Sequence, residues 1–547
     1  MGLQQVVTEN GKKFLKLINP ATGKPIQLEG REILTVRVCG ADDVAQAVDN
    51  AHEAAKQWPR MTHGQRTRIF REAEGILADN ARRVATVVTQ ETGKPIAESM
   101  SEVYGILEGM RYFPKQAKRL AGGRWRLPSN LINKGKPLKI FHKPKGVVGY
   151  IMPWNYPFAI LVPIVQSLAA GNCVVLKPSS ETPLTGLELY NVFSEAWKRH
   201  ASGPCPLQVI TGSHSVTGVA LLEELARGRI KDISLTGSVD SGVDLSEKLA
   251  PHLKQPVLEL GGKDPVIVCD DADIDLAARA SIFASFYNCG QTCCSVERVY
   301  VTRKSADAFI KRVVEIVSTM KVGNGMDETV DMGPVINRSQ LEKVKSHVDE
   351  AVERGAKVLF GGKVLDQGEY AGGTFFQPTV LTDVNHEMMA MREETFGPTL
   401  PIMVVDSESE AVKLANDSEY GLNGAVFTKD ISKGIRIAQQ IESGVVYVND
   451  VLWSFTDPSV PWIGIKKSGC GASQGDLGFL HCTTPQVMLV NASKKWLPLD
   501  MRQPWLQKSG SGLLSFFTNA IQFQHGRSGR LGAMMRTNAF ILKNFFK

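Results

Sequence analysis

No stretch of about twenty consecutive apolar residues occurs in the chain, so no membrane-spanning helix is expected. The opening segment, Met1 to Ile18, is mixed and polar and lacks the apolar run of a signal peptide. Val6 stands where the myristoylation pattern begun by Gly2 needs Ser or Thr. Cysteines arranged for pairing are also missing. There are nine of them, two adjacent at Cys293 and Cys294, and no spacing suits a zinc site. A disulfide scaffold is excluded, no metal site is expected, and a reducing compartment, the cytoplasm, is the expected location. Before the tail there is no basic stripe with interleaved aromatics, which argues against a nucleic-acid surface.

What is present reads as a large enzyme. At 547 residues the chain exceeds what one hydrophobic core supports, so two or more domains are expected. Its 43% apolar and 22% charged shares match soluble globular proteins rather than disordered ones. The formal charge of +7 is concentrated at the end: from Lys494 onward nine Lys and Arg face only Asp500, leaving the body near neutral.

Ala41 to Glu108 carries apolar residues at three and four spacings, such as Val44, Ala47, Val48, Ala51 and Ala55, and predicts a helical layer. Arg124 to Lys145 changes to short alternating runs around a Lys134-Gly135 turn, a hairpin suited to assembly. Apolar strand patterns follow at Gly146–Met152, Cys173–Leu176, Leu207–Ile210, Asp232–Leu235 and Pro256–Leu260, with helical stretches between them. A second set covers Pro265–Val268, Arg298–Val301, Lys357–Phe360, Leu400–Val405, Gly424–Thr428 and Gly444–Val448. Strands alternating with helices predict doubly wound α/β units. Their junction falls near Gly261-Gly262, and the cleft there is the expected place for a site.

Three local patterns could carry chemistry. Phe286-Tyr287-Asn288-Cys289-Gly290-Gln291-Thr292-Cys293 delivers a cysteine after a helical segment through a glycine turn, where backbone amides favour a nucleophilic thiolate. A cysteine taken alone is more often a small buried hydrophobe. Leu258-Glu259-Leu260-Gly261-Gly262-Lys263 places a carboxylate at the end of an apolar strand, a poor core residue and a good general base, although most Glu side chains are simply solvated. In Pro153-Trp154-Asn155-Tyr156-Pro157-Phe158 the Asn155 amide can donate to a developing oxyanion, or merely form a turn.

Taken together, and with Lys177-Pro178, Thr236-Gly237-Ser238, Glu393 to Pro398, Val448-Asn449 and Pro461 to Gly469 in order, the chain from about Asn19 to Val490 resembles the aldehyde dehydrogenase superfamily, the NAD(P)-dependent, hydrolytic, cysteine-thioester type. The resemblance implies a Rossmann-like NAD(P)-binding domain (1–123 and 146–261), an α/β catalytic domain (262–460), a small β-hairpin oligomerisation element (124–145 and 478–493) and a basic extension (494–547). It implies Cys293 as nucleophile, Glu259 as the base that activates water, and Asn155 with the Cys293 amide as oxyanion donors. Cofactor contacts carried over are Met152, Pro153, Trp154, Lys177, Ser180, Gly237, Ser238, Gly242, Leu260, Glu394 and Phe396. The aldehyde tunnel is implied at Tyr156, Tyr287, Thr292, Cys294 and Trp462. None of these is charged, so an apolar or aromatic aldehyde is favoured over a semialdehyde.

Two departures concern one region. Three positions after Lys177, where many NAD-preferring relatives carry Glu, stands Ser180, so NADP as well as NAD is expected as cofactor, unless Glu181 takes the vacant role. The stretch from Asn155 to Gly171 is about one residue shorter than the family's. Rival readings are a succinate-semialdehyde-type enzyme, a coenzyme A-acylating dehydrogenase, against which Glu259 argues, and a catalytically retired scaffold. The expected partners are a small-molecule aldehyde and further copies of the chain, as a homodimer or homotetramer. In the tail, Leu513, Phe516, Phe517, Ala520, Ile521 and Gln524, then Leu531, Met534, Met535, Phe540, Ile541, Phe545 and Phe546, follow helical spacing. Two amphipathic helices are predicted, packed on the parent domain or another subunit, with peripheral contact to an anionic membrane as the second reading.

Overall fold

The computed structural model describes residues 6–9, 12–129 and 136–490, together with 517, 518, 521, 522 and 525. These group into two compact units, one within Met1–Lys118 and Pro144–Thr483, the other within Arg119–Lys143 and Thr484–Lys547.

The first unit contains the expected helical layer as Ala41–Ala54, His63–Asp79, Ala81–Thr92 and Ile96–Leu120. The second helix starts in a capping box, Thr62 accepting from the Gln65 amide while the Gln65 side chain accepts from Thr62. The third stops at Gly93, whose φ of 78° is the left-handed conformation that ends helices. Lys94 and Pro95 then turn the chain into the long fourth helix.

The six-stranded sheet runs in the order Leu207–Val209, Cys173–Lys177, Val147–Ile151, Ile233–Thr236, Leu258–Glu259, Gly469–Cys470. Its first five strands are parallel, and the last is antiparallel, pairing Glu259 with Gly469. Val147–Ile151 and Cys173–Lys177 are buried throughout, as strands covered on both faces must be. The order reverses between Val147–Ile151 and Ile233–Thr236. A crevice therefore opens beyond their carboxyl ends, at Met152 to Asn155 and at Gly237-Ser238.

The seven-stranded sheet runs Lys357–Phe360, Thr379–Thr382, Thr399–Val405, Val296–Thr302, Asp264–Val268, Asn423–Phe427, Val445–Val448, antiparallel only at its first pair. Around it lies a core that includes Val266, Ile267, Phe286, Val299, Tyr300 and Phe427. Both strand sets match the sequence reading within a few residues. Two corrections are that Pro256–Leu260 shortens to Leu258–Glu259, and that the strand Thr379–Thr382 was not foreseen.

In the hairpin, Trp125–Arg126 pairs antiparallel with Leu138–Pro144, and Thr483–Leu489 lies along the other side. The predicted Lys134-Gly135 turn lies outside the described residues. In the tail, residues 517, 518, 521, 522 and 525 are helical, with Phe517 and Ile521 exposed. The other tail positions of the two predicted helices lie outside the described residues. No helix among the described residues is long and apolar enough to cross a membrane.

Candidate active site

Glu259 ends its strand at a place where three cavities meet. It lines a cleft of about 670 Å³, a tunnel of about 520 Å³ and a rear cavity of about 370 Å³. Burial pushes its carboxyl from 4.5 up to about 8, and a hydrogen bond from Ser473 opposes the shift. A carboxyl held in that range can take and return a proton near neutral pH.

Cys293 lines both the cleft and the tunnel and is half-buried. The chain reaches it through Asn288 and Cys289, at φ 54° and 55°, and Gly290, at φ 71°. Two buried non-glycine residues in the left-handed region are strained, and such strain persists only where the surroundings enforce it. The enforcement is visible: the Asn288 amide donates to Glu98 Oε2 at 2.9 Å, and Gln291 Oε1 accepts from the Ile336 amide at 2.8 Å. At Gly262 a Cβ would come within 2.2 Å of the Cys293 carbonyl oxygen, so only glycine permits this approach between the Glu259 and Cys293 segments.

Asn155 is buried and also lines the cleft. Its Nδ2 donates to the Gln291 carbonyl at 3.1 Å, which fixes the amide's orientation beside the cysteine turn. Its carbonyl accepts from Lys94 Nζ at 2.6 Å and from Asn288 Nδ2 at 2.7 Å. Lys94 is paired at 2.5 Å with Glu102, both fully buried, and Glu102 Oε2 accepts the Phe158 and Ala159 amides at 2.9 Å each. This polar cluster beneath Asn155 was not read from the sequence. Lys94, Glu98 and Glu102 sit at spacings of four, which on a helix look like a solvated charge ladder, and only their burial distinguishes them.

The cleft at the sheet's reversal is lined by Pro153, Trp154, Gly237, Ser238, Leu260, Glu394 and Phe396 from the expected set, by Thr236 of the Thr236-Gly237-Ser238 block, and by Gln340 and Lys343, which were not foreseen. Ser238 caps the helix Val239–Leu249, accepting from the Ser241 amide at 3.3 Å, so a helix N-terminus opens beside it, suited to phosphate. Gly242 packs that helix's first turn against Leu260, where a Cβ would approach to 2.6 Å. Trp154 and Phe396 meet edge to face at 5.4 Å. The Phe396 amide is held by Glu297 Oε1 at 2.8 Å, and Glu297 is anchored by buried Lys263 at 2.6 Å. Glu394 accepts from the Gly262 amide at 3.0 Å, and burial raises its carboxyl to about 7.

Lys177, Ser180 and Gly242 are not among the cleft's lining residues, and Met152 lines the rear cavity instead. Burial lowers the Lys177 ammonium to about 8. Glu181 is raised to about 7 by burial, and Asn337 hydrogen-bonds it.

The tunnel is lined by Tyr156, Thr292, Cys294 and Trp462 as expected, and by Ala159, Ile160, Pro163 and Gln474 besides. The Tyr156 hydroxyl and Thr292 Oγ1 are 2.7 Å apart. Tyr287 does not line the tunnel. It stacks on Tyr156 with centroids 6.3 Å apart and bonds Ser101 at 2.6 Å. Burial pushes the Cys294 thiol well above its ordinary range, and Cys293 hydrogen-bonds it.

The sequence model described as the aldehyde dehydrogenase family matches residues 6–488. The chain is 35% identical over 468 residues to a 3-sulfolactaldehyde dehydrogenase of Pseudomonas putida, covering 85% of this chain and 91% of that one. It is 34% identical over 470 residues to the NADP(+) succinate-semialdehyde dehydrogenase of Escherichia coli strain K12, covering 86% and 92%. Among solved structures, betaine aldehyde dehydrogenase from Staphylococcus aureus in complex with NAD+ superposes with a TM-score of 0.81 at 31% identity, covering 90% of this chain and 96% of that one.

Proposed function

The chain belongs to the aldehyde dehydrogenase family and catalyses NAD(P)-dependent oxidation of an aldehyde, and we propose that it does so through a thioester on Cys293 with an apolar or aromatic aldehyde as substrate. The single observation that carries the substrate class is the tunnel wall: Tyr156, Ile160, Pro163, Cys294 and Trp462 line it, and no Lys or Arg is among its lining residues. A distal carboxylate entering there would lose its water without gaining a cation.

In this reading the Cys293 thiolate attacks the carbonyl carbon, and the oxygen's charge is taken by the Asn155 amide and the Cys293 backbone N–H. The cofactor, when bound, supplies the acceptor for the substrate hydride. Its pyrophosphate fits the Ser238 helix start, and its nicotinamide end fits the space beside Glu394 and Phe396. Glu259 then takes a proton from water, the water oxygen attacks the thioester carbon, and the carbon–sulfur bond breaks to free the acid and the thiolate. The position of Glu259 at the meeting of cleft and tunnel supports both its access to water and its access to the acyl group. Coenzyme A need not be involved.

The semialdehyde reading has one observation in its favour, the substrate named for the Escherichia coli relative. Comparing kcat/KM for an aliphatic, an aromatic and an ω-carboxylated aldehyde, beside Cys293→Ala, separates the two. Preference for the carboxylated substrate would refute the apolar assignment, and activity in Cys293→Ala would refute the thioester.

Residues 1–123 with 146–261 are assigned as the NAD(P)-binding domain and 262–460 as the catalytic domain. Residues 124–145 and 478–493 are assigned to assembly as a homodimer or homotetramer, supported by exposed Trp125, Leu127, Val487 and Leu489. The basic extension 494–547 is assigned to packing or to contact with an anionic membrane surface.

A further inference from the structure

The loop that carries Glu394 and Phe396 into the cleft is held by side chains rather than by neighbouring main chain. Glu297 Oε2 accepts the Thr395 amide at 2.7 Å and Oε1 accepts the Phe396 amide at 2.8 Å. Gln340 Nε2 donates to the carbonyls of the same two residues at 3.0 and 2.8 Å. Thr395 is fully buried, so its main-chain groups cannot turn to solvent and must find partners inside the protein. The partner for both amides is a carboxylate with almost no exposure, paired at 2.6 Å with the equally buried Lys263.

Those bonds keep the main chain in a shape it does not prefer. Phe396 has a φ of 57°, in the left-handed region that a bulky side chain enters only where its surroundings enforce it. Two amides aimed at one charged carboxylate supply that enforcement, since hydrogen bonds to an ionised acceptor are the strong kind. The Thr395 hydroxyl adds further ties: Lys263 Nζ donates to its Oγ1 at 3.4 Å, and His347 Nδ1 lies 3.2 Å from the same oxygen.

Glu297 follows Cys293 in the chain and Lys263 follows Glu259, so the pair joins the segments that carry Cys293, Glu259 and Phe396. Loop and cysteine turn are also in direct contact, because a Cβ at Gly290 would come within 2.1 Å of the Gly397 carbonyl oxygen. The turn nevertheless has anchors of its own, the Asn288 amide on Glu98 and Gln291 on the Ile336 amide.

We propose that Glu297 is a positioning residue for the hydride-transfer step: through the Thr395 and Phe396 amides it sets where Phe396 and Glu394 stand relative to Cys293, and Lys263 holds its carboxylate in place. The inference rests on the reading that the nicotinamide end of the cofactor fits beside Glu394 and Phe396. Stability alone does not account for the pair, since apolar residues of similar volume replace many buried ion pairs without loss. With the cysteine turn anchored separately, removing Glu297 disturbs hydride transfer and leaves the thiol and the hydrolytic base as they are.

Glu297→Gln keeps an acceptor for one amide and loses the other. It also leaves the Lys263 charge unpaired, so the double variant Lys263→Met with Glu297→Gln, which removes both charges together, is made beside it. In the full-length enzyme with benzaldehyde, the burst of NAD or NADP reduction is expected to slow roughly tenfold to a hundredfold in both variants, the size expected of a displacement of up to about 1 Å. With benzaldehyde deuterated at the carbonyl carbon, that slowed burst is expected to carry a primary isotope effect. Without aldehyde, NADH and NADPH are expected to bind with little change in Kd, because the helix start at Ser238 is untouched, but with lower fluorescence anisotropy of the nicotinamide ring. A p-nitrophenyl ester, which acylates Cys293 by expelling p-nitrophenolate and transfers no hydride, is expected to turn over at the wild-type rate. A merely structural role would move ester turnover and burst together. A wild-type burst in the double variant, unchanged anisotropy, or ester turnover lost in step with the burst overturns the proposal. Phe396→Ala is run beside them: a wild-type burst there defeats the placing of the nicotinamide beside Phe396, a different failure from that of the Glu297 clamp.

Discussion

Lys94 Nζ lies 2.6 Å from the main-chain oxygen of Asn155 and 2.5 Å from Glu102, so one buried ammonium ties the segment carrying Asn155, the proposed oxyanion donor, to the long helix Ile96–Leu120. It also sits 4.3 Å from the centre of the Tyr156 ring. Replacing it with Met leaves Glu102 charged and unpaired inside the protein, a change that costs about 3–5 kcal/mol. Lys94→Met should therefore lower Tm sharply, and the double variant with Glu102→Gln should recover part of that loss. Neither restores the donor to the Asn155 carbonyl, so the burst of cofactor reduction should be slowed roughly tenfold to a hundredfold in both, as expected when a group is displaced by a fraction of an ångström to about 1 Å. A double variant with wild-type burst kinetics would show that the cluster serves stability alone.

The pH dependence follows from Glu259. Its carboxyl is raised from 4.5 to about 8, first by burial and against the Ser473 hydrogen bond. A base acts when deprotonated, and the deprotonated fraction grows with pH, so decay of the acyl adduct should rise through about pH 8 and level off above it. Glu259→Gln should abolish that rise. The same shift has a consequence for folding with the opposite sense. The neutral carboxyl's contribution is fully present below the unfolded value of about 4.5 and is lost as pH rises through about 8, since the unfolded chain then holds fewer protons. The Tm of Glu259→Gln relative to wild type should accordingly climb between pH 6 and pH 9, on the order of pH steps that span the shift.

Both α/β strand sets were legible because parallel strands buried on two faces are written as short apolar runs, and Val147–Ile151 or Asn423–Phe427 can hardly be read otherwise. Thr379–Thr382 was missed because its two threonines, both buried, look like loop residues on paper. Of the candidate site, the three residues that line one cleft, Cys293, Glu259 and Asn155, were singled out through the motifs around them, since glycines and prolines mark where backbone must approach closely. The groups that hold those three in place were not. Lys94, Glu102 and Asn288 act from separate segments. Tyr287 was placed on the tunnel by the family resemblance, but the chain turns at Asn288 and Cys289 and Tyr287 stacks on Tyr156 instead.

We propose that cofactor choice turns on Ser180. It carries no charge to repel a ribose phosphate, and the neighbouring Glu181 is half-buried and bonded by Asn337, which also caps the helix Arg338–Glu353. Burial lowers the His214 pKa, Lys177 and Lys248 lower it further, and Asp244, which is paired with Lys248, opposes them. NADP should be reduced at a kcat/KM no lower than that for NAD. Ser180→Glu should depress the NADP value roughly tenfold or more, as like charges in contact demand, while leaving NAD nearly unchanged. Equal losses for both cofactors would show that Ser180 does not face the ribose.

Substrate choice can be reversed if the tunnel reading is right. Ile160 is a half-buried lining residue on the 3-10 turn Ala159–Leu161, and the tunnel holds no cation among its lining residues. Ile160→Arg supplies one. A guanidinium there can form a paired, charge-assisted contact with a distal carboxylate, worth about 1.5–3 kcal/mol when the partner is ionised. The kcat/KM for an ω-carboxylated aldehyde should rise about tenfold to a hundredfold, by the ~1.4 kcal/mol per decade that relates free energy to rate. An aromatic aldehyde of similar length should lose activity, because the same charge must shed water to let it pass. If the wild type already prefers the carboxylated substrate, a cation must reach it from outside the tunnel wall, and Ile160→Arg will add little. If the variant gains on the carboxylated aldehyde while the wild type prefers the aromatic one, the absence of a cation among the wall's lining residues is what sets the substrate class.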